Sequence, residues 1–262
     1  MTFLQGSVRK RLSDGLTLVS LVLTSLFLLS GCLLNRVQQI QAQSCDFERH
    51  FTFETGPDTS WTFHEPVLLK SDVERMLGLE PRKISKVNQQ ETHHYRFAQV
   101  SASGERGETF DFEMRYVVDQ GEWRLASVYL PGVVGLLVDR AAAERVAAKA
   151  CDAEWSWSIR GITQSLDARD LNLVPGRTEL LTVLGAPTRF DAGGRTLTYA
   201  FRGLGPDEQQ AAINDVRAEF TIQYDGQDRP HRMASTFRGL RADADFRSLE
   251  ARLSYRGGGV KE

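Results

Sequence analysis

The sequence predicts an α+β protein made of two tandem two-layer units, each with helices packed on a small antiparallel sheet of about three strands. Three observations carry this expectation. First, the chain repeats itself at a spacing of 106–108 residues. Second, each copy contains a hairpin whose apolar residues alternate with polar ones, the mark of a sheet with one buried face. Third, each copy has a short apolar helix that ends in glycine and is followed by proline.

The elements follow in chain order. Residues 16–29 hold no charge, and Arg9, Lys10 and Arg11 precede them, as in an export signal. The run is short for a membrane span, which needs roughly 20 apolar residues. Leu29, Ser30, Gly31 and Cys32 then resemble a lipobox, the processing site of bacterial lipoproteins. The resemblance implies cleavage before Cys32 and lipidation (a palmitate-type acyl anchor) on its thiol, with more than one chain giving durable attachment. Leu33 stands where inner-membrane lipoproteins commonly carry aspartate, so the expected location is the periplasmic face of the outer membrane.

Domain limits follow from the signal and the repeat: 1–31 signal peptide, 32–135 first unit, 136–245 second unit, and 246–262 a flexible tail with three consecutive glycines. Without the signal, 231 residues remain, with 29 Lys and Arg against 33 Asp and Glu. That balance argues against nucleic acid as a partner.

Each unit opens with a helical stretch, residues 36–44 and 139–150, leading to Cys45 and Cys151. An even pair of cysteines in an exported chain leaves two readings open, a Cys45–Cys151 disulfide between the copies or two buried reduced thiols. After each cysteine a short alternating segment is expected, carrying Phe51 and Phe53 in one copy and Trp155, Trp157 and Ile159 in the other. The apolar helix follows. Ser71 with Glu74, and Thr178, are its expected N-terminal caps, while Gly78 with Pro81 and Gly185 with Pro187 close it.

Three strands complete each unit. Tyr95 and Phe97, like Tyr199 and Phe201, mark the first. Phe112, Met114, Tyr116 and Val118 return through Trp123, Leu125, Ser127 and Tyr129 after a turn at Asp119, Gln120 and Gly121. In the second copy Phe220, Ile222 and Tyr224 return through His231, Met233, Ser235 and Phe237. Phe112, Tyr116, Arg124, Ala126 and Ser127 recur 108 positions later as Phe220, Tyr224, Arg232, Ala234 and Ser235, and Leu125 is matched with Met233.

At Gly176, Thr178, Leu184, Gly185, Pro187, Tyr199 and Phe201 the second copy resembles the BamE-like (SmpA/OmlA) outer-membrane lipoproteins, best over residues 174–239. The first copy resembles them less closely, through Ser71, Leu77, Gly78, Pro81, Tyr95 and Phe97. The resemblance implies two helices on a three-stranded sheet and an accessory scaffolding role in the barrel-assembly machinery. Tandem units of this shape are also similar in architecture to the β-lactamase inhibitor protein.

No catalytic constellation is legible: there is no serine elbow, phosphate loop or free nucleophilic cysteine. His93 and His94 are neighbours in a strand and point to opposite faces, an arrangement unsuited to a shared metal. His50, His64 and His231 lack ligand-spaced companions, and Asp243 with Asp245 reads as a solvated pair. Trp61, Trp123, Trp155 and Trp157 are candidates for core or interface, and residues 133–138 for a buried connection between the sheets.

The expected function is therefore a lipid-anchored binding or scaffolding protein with an envelope protein partner, without cofactor or metal, and not an enzyme. The alternatives are an envelope enzyme or small-ligand carrier with a site between the repeats, and a protein inhibitor.

Overall fold

A computed structural model describes residues 33, 35–56, 58–132, 139–156, 161–167, 169–170, 174–206 and 217–255. The signal segment, Cys32, Trp157, Ile159, the connection 133–138 and the residues after 255 lie outside these. The chain divides into two compact units, Met1–Ile40 and Gln41–Glu262. In the first, residues 35–40 are helical. Among the described residues, no helix is long and apolar enough to cross a membrane.

The second unit is built on one sheet. Its strands are β1 (Phe51–Glu54), β2 (Asp58–Phe63), β3 (Lys83–Val87), β4 (Gln90–Val100), β5 (Arg106–Asp119), β6 (Glu122–Pro131), β7 (Glu154–Ser156), β8 (Gly161–Ser165), β9 (Arg189–Phe190), β10 (Thr196–Leu204), β11 (Arg217–Tyr224), β12 (Pro230–Phe237), β13 (Leu240–Asp245) and β14 (Glu250–Tyr255). They lie in the order β1-β2-β6-β5-β4-β10-β11-β12-β13-β14-β8-β7, with β3 beside β4 and β9 beside β10. Four short helices accompany them: α1 (Phe47–His50), α2 (Lys70–Leu77), α3 (Arg140–Cys151) and α4 (Arg177–Leu184).

This corrects the predicted fold class. There are not two small helix-on-sheet units of about three strands but a single 14-stranded antiparallel sheet. The physical reason lies at β4 and β10. β3 covers only residues 90–94 of β4, and β9 covers only Leu197 and Thr198 of β10. Each strand would otherwise end in a bare row of N–H and C=O groups. Instead they pair with each other, Val100 opposite Ala200 through Arg96 opposite Leu204, and the would-be edges disappear.

The repeat survives as pairing order, since β3, β4, β5 and β6 are neighbours in the same sequence as β9, β10, β11 and β12. The pairing even slips at corresponding points, between Arg115 and Tyr116 and between Gln223 and Tyr224, which are 108 positions apart. On the return arms the expected matching fails. Met114 faces Val128 while Ile222 faces Met233, so Val128 rather than Leu125 corresponds to Met233. Eight residues separate Tyr116 from its partner Leu125, but five separate Tyr224 from Pro230. The shorter second turn shifts every later position by three.

The expected tail also differs. β14 pairs with β13 and β8, so a C-terminal hairpin is inserted between β12 and β8, where the first half has β6 directly beside β2. Alternation of Ala242 and Ala244, and of Ala251 and Leu253, is a short period-two pattern that charged neighbours mask.

Helix ends depart slightly from expectation. α2 begins at Lys70 with the Asp72 carboxylate accepting from the Leu69 N–H at 3.1 Å, in place of the Ser71 and Glu74 pair. α4 begins after Gly176, with Thr178 inside the first turn. Asp139 caps α3, accepting from Ala142 N–H at 2.7 Å. Gly78 takes φ 52° to end α2, the left-handed conformation that disfavours a side chain.

One face of the sheet is apolar and carries helices. Leu180 and Leu184 of α4 pack on Leu197, Tyr199, Ile222 and Tyr224. Val73 of α2 packs on Tyr116 and Leu125, and Leu79 after it on Tyr95.

The ends of the sheet meet. Cys45, just before α1 and β1, is disulfide-bonded to Cys151, just before β7, with Cα atoms 4.9 Å apart. Gln41 Nε2 donates to Ala153 O at 2.6 Å. α3 touches both β1 and β8. Its buried Ala142, Ala143 and Ala147 leave room for close approach. Strand ladder and covalent bond together form a closed ring.

Candidate functional site

The face opposite the helices is polar. Because side chains alternate, every second residue of the central strands projects from it. Along β4 and β5 these are His94, Arg96, Asp111, Glu113 and Arg115; along β10 to β14 they are Arg202, Glu219, Arg232, Arg241, Asp243 and Arg252.

Opposite charges meet across this face. Arg96 grips Asp111 with two nitrogens, and its guanidinium holds the Asp111 carboxyl below the usual range. His94 Nδ1 lies 2.9 Å from Glu113, and Arg189 reaches Glu219 at 2.6 Å. Arg241 does the same for Asp243 at 2.6 Å and lowers its pKa, with Arg232 at 3.7 Å. The Arg115 guanidinium lies over the Tyr129 ring, 4.6 Å from its centroid. The result is a broad mosaic of both signs with tyrosine and arginine at one place. Such a surface matches a folded polypeptide better than a polyanion, which would need one sign.

Under the helices of the first half lies a second polar feature. Glu91 and His93, each 1% exposed, point into the core beside Tyr95. Glu91 receives Lys70 Nζ at 2.9 Å and Lys86 Nζ at 2.7 Å, and His93 bonds both Glu91 and the Tyr95 hydroxyl. Burial opposes ionisation of Glu91, but Lys86, His93 and Lys70 outweigh it and bring its pKa down to about 2. Burial pushes Tyr95 up to about 12. In the second half Leu197 occupies the place of His93, and the corresponding core is apolar. Periodicity alone does not single out this cluster. Its signal was a glutamate at an inward position of the alternating run Glu91, His93, Tyr95.

The predicted residues fall as follows. Cys45 and Cys151 are bonded, which closes the alternative of reduced thiols. His93 and His94 project to opposite faces, and no cluster of three metal-ligating side chains occurs among the described residues. Asp243 and Asp245 are not merely solvated. The first pairs with arginines, and the second accepts the Arg247 and Ser248 N–H groups, which lowers its pKa. Trp61 joins Phe47, Phe51, Phe53 and Phe63 in an aromatic cluster beside the disulfide. Lys70 sits over Trp123.

A groove of about 200 Å³ crosses the helix-side face of the inserted hairpin, lined by Ile162, Met233, Ala242, Ala244, Ala251 and Leu253. It lies within the second half, not between the repeats. No protein-family model, curated protein or solved structure matches the chain.

Proposed function

We propose that the protein is a lipid-anchored binding or scaffolding protein of the bacterial envelope, without enzymatic activity, that holds a protein partner on the polar face of its sheet. The observation that carries the binding role is the half-exposed mosaic centred on Arg115 and Tyr129, residue types that concentrate binding energy at interfaces. The Cys45–Cys151 bond supports an oxidising compartment. The lipobox-like Leu29, Ser30, Gly31 and Cys32 supports an acyl anchor, with the outer membrane as its expected site. The resemblance to BamE-like lipoproteins makes the barrel-assembly machinery the first partner to test.

The experiment is crosslinking from position 129 in intact cells, followed by mass spectrometry. A recurrent envelope protein is the expected product. Recovery of lipids alone would refute a protein partner at this face; a carrier of small apolar ligands, the reading that the groove on the other face supports, predicts lipid adducts from position 253 instead. For the anchor, Cys32→Ser is expected to abolish fatty-acid labelling and release the protein from the membrane fraction. Unchanged labelling would refute lipidation at that residue.

A further inference from the structure

The disulfide occupies an unusual place. It does not staple the interior of the core but joins the two outermost ends of the strand path, and Cys45 is exposed to solvent. Among the described residues β1 pairs only with β2, and β7 only with β8. Besides the covalent bond, the ends are held by the Gln41 to Ala153 hydrogen bond, by the exposed Arg140–Glu48 ion pair at 3.6 Å and by the alanine face of α3. The middle of the ring is different: β4 and β10 are flanked on both sides, β4 through its long ladder with β5, β10 through its ladder with β11, and both through the shorter ladder that joins them. The end strands thus have a described strand on one side alone, whereas β4 and β10 have one on each side, and it is the singly paired strands that open locally once a crosslink is lost.

We propose that the Cys45–Cys151 bond is a redox-controlled latch, whose reduction by an envelope dithiol opens the ring at β1 and β7 while the β4 to β10 centre stays folded. The chemistry is thiol–disulfide exchange. A thiolate of the dithiol attacks the accessible Cys45 Sγ, the S–S bond breaks, and Cys151 leaves as thiolate and takes a proton. The second thiol of the reductant then attacks the mixed disulfide and releases Cys45. Two electrons and two protons pass to the protein, and the dithiol becomes a disulfide. Exposed disulfides are the ones such exchange reaches. Opening would expose the outer rows of β1 and β7, which no described strand covers, and such edges accept an added strand.

The test uses the full chain in detergent micelles with dithiothreitol as the dithiol and no denaturant. Thiol alkylation is expected to find both cysteines reduced within minutes. Amide exchange is expected to accelerate at least tenfold in residues 51–54 and 154–156 and to stay within twofold in β4 and β10. Reoxidation should restore the original pattern. A Cys45→Ser, Cys151→Ser double variant should show the same local acceleration without reductant. A bond that resists reduction until the protein is denatured would overturn the latch. So would exchange that is unchanged everywhere, or that rises equally in all strands. If the double variant does not fold, the reduced wild-type chain decides the matter alone.

Discussion

Ala98 faces Arg202 across the central ladder, and the two occupy the same place in their respective halves, 104 positions apart. Tyr95 and Tyr199, and Phe97 and Phe201, share that spacing. Phe97 therefore faces Gly203, the counterpart of Gln99, and Gln99 faces Phe201, the counterpart of Phe97. A local twofold relation passes through this pair, and on the far side of the ring through Cys45 and Cys151, also counterparts. The junction resembles the symmetric pairing of two identical chains written as one.

Arg202 has a strand on either side, Ala98 on one and Arg217 on the other. Its N–H must serve one of them, so Arg202→Pro loses a ladder bond whichever way it points. We expect a loss of about 3 kcal/mol or more, by analogy with proline inside a helix, read as a lowered denaturant midpoint.

Gly78 ends α2 beneath the Arg238 side chain. A Cβ there would fall 0.6 Å from Arg238 Nη1, at a φ of +52°. Gly78→Ala must both strain the backbone and displace the guanidinium from the helix end, where cations are favoured. A loss of about 1–2 kcal/mol is expected from these two effects. In an Arg238→Ala background the loss should shrink toward the backbone part alone, and a double-mutant cycle showing simple additivity would contradict the contact.

Glu91 makes stability depend on acid. Its pKa falls from 4.5 to about 2 on folding, so the folded form holds its proton less tightly. The contribution is fully present above pH 4.5 and is lost as pH drops through about 2. Its size is on the order of 3 kcal/mol. Glu91→Gln should be clearly less stable than wild type at pH 7, with the gap closing between pH 4.5 and 2. A gap that stays constant through that window in thermal melts would refute the assignment.

The mosaic face predicts separable binding and folding. Arg115→Ala and Tyr129→Ala, singly or together, should weaken capture of the crosslinked partner by tenfold or more, as for interface hot spots. Their thermal midpoints should change little, because both residues lie on the solvent side of the sheet. Replacement of Val73, whose side chain lies under α2, should reverse that pattern.

Local features were legible in the residues. Alternation located the hairpins and the shared face of Phe112, Met114 and Tyr116, but the slip between Arg115 and Tyr116 puts Leu125 on the helix side and Ser127 and Tyr129 on the polar side, against the single face expected of that arm; glycine and proline placed the C-terminal helix ends, and the repeat put Cys45 and Cys151 in corresponding positions that the fold joins. These are properties of neighbouring residues, and period and turn chemistry encode them directly. What only the tertiary structure decided was which edges meet. A period of two names a strand's faces but not its lateral neighbours. The fusion of β4 with β10, the entry of the C-terminal hairpin between β12 and β8, and the burial of Glu91 against Lys70 and Lys86 all arise from backbone groups and charges seeking partners far away in the chain. The same demand merged two expected sheets into one ring.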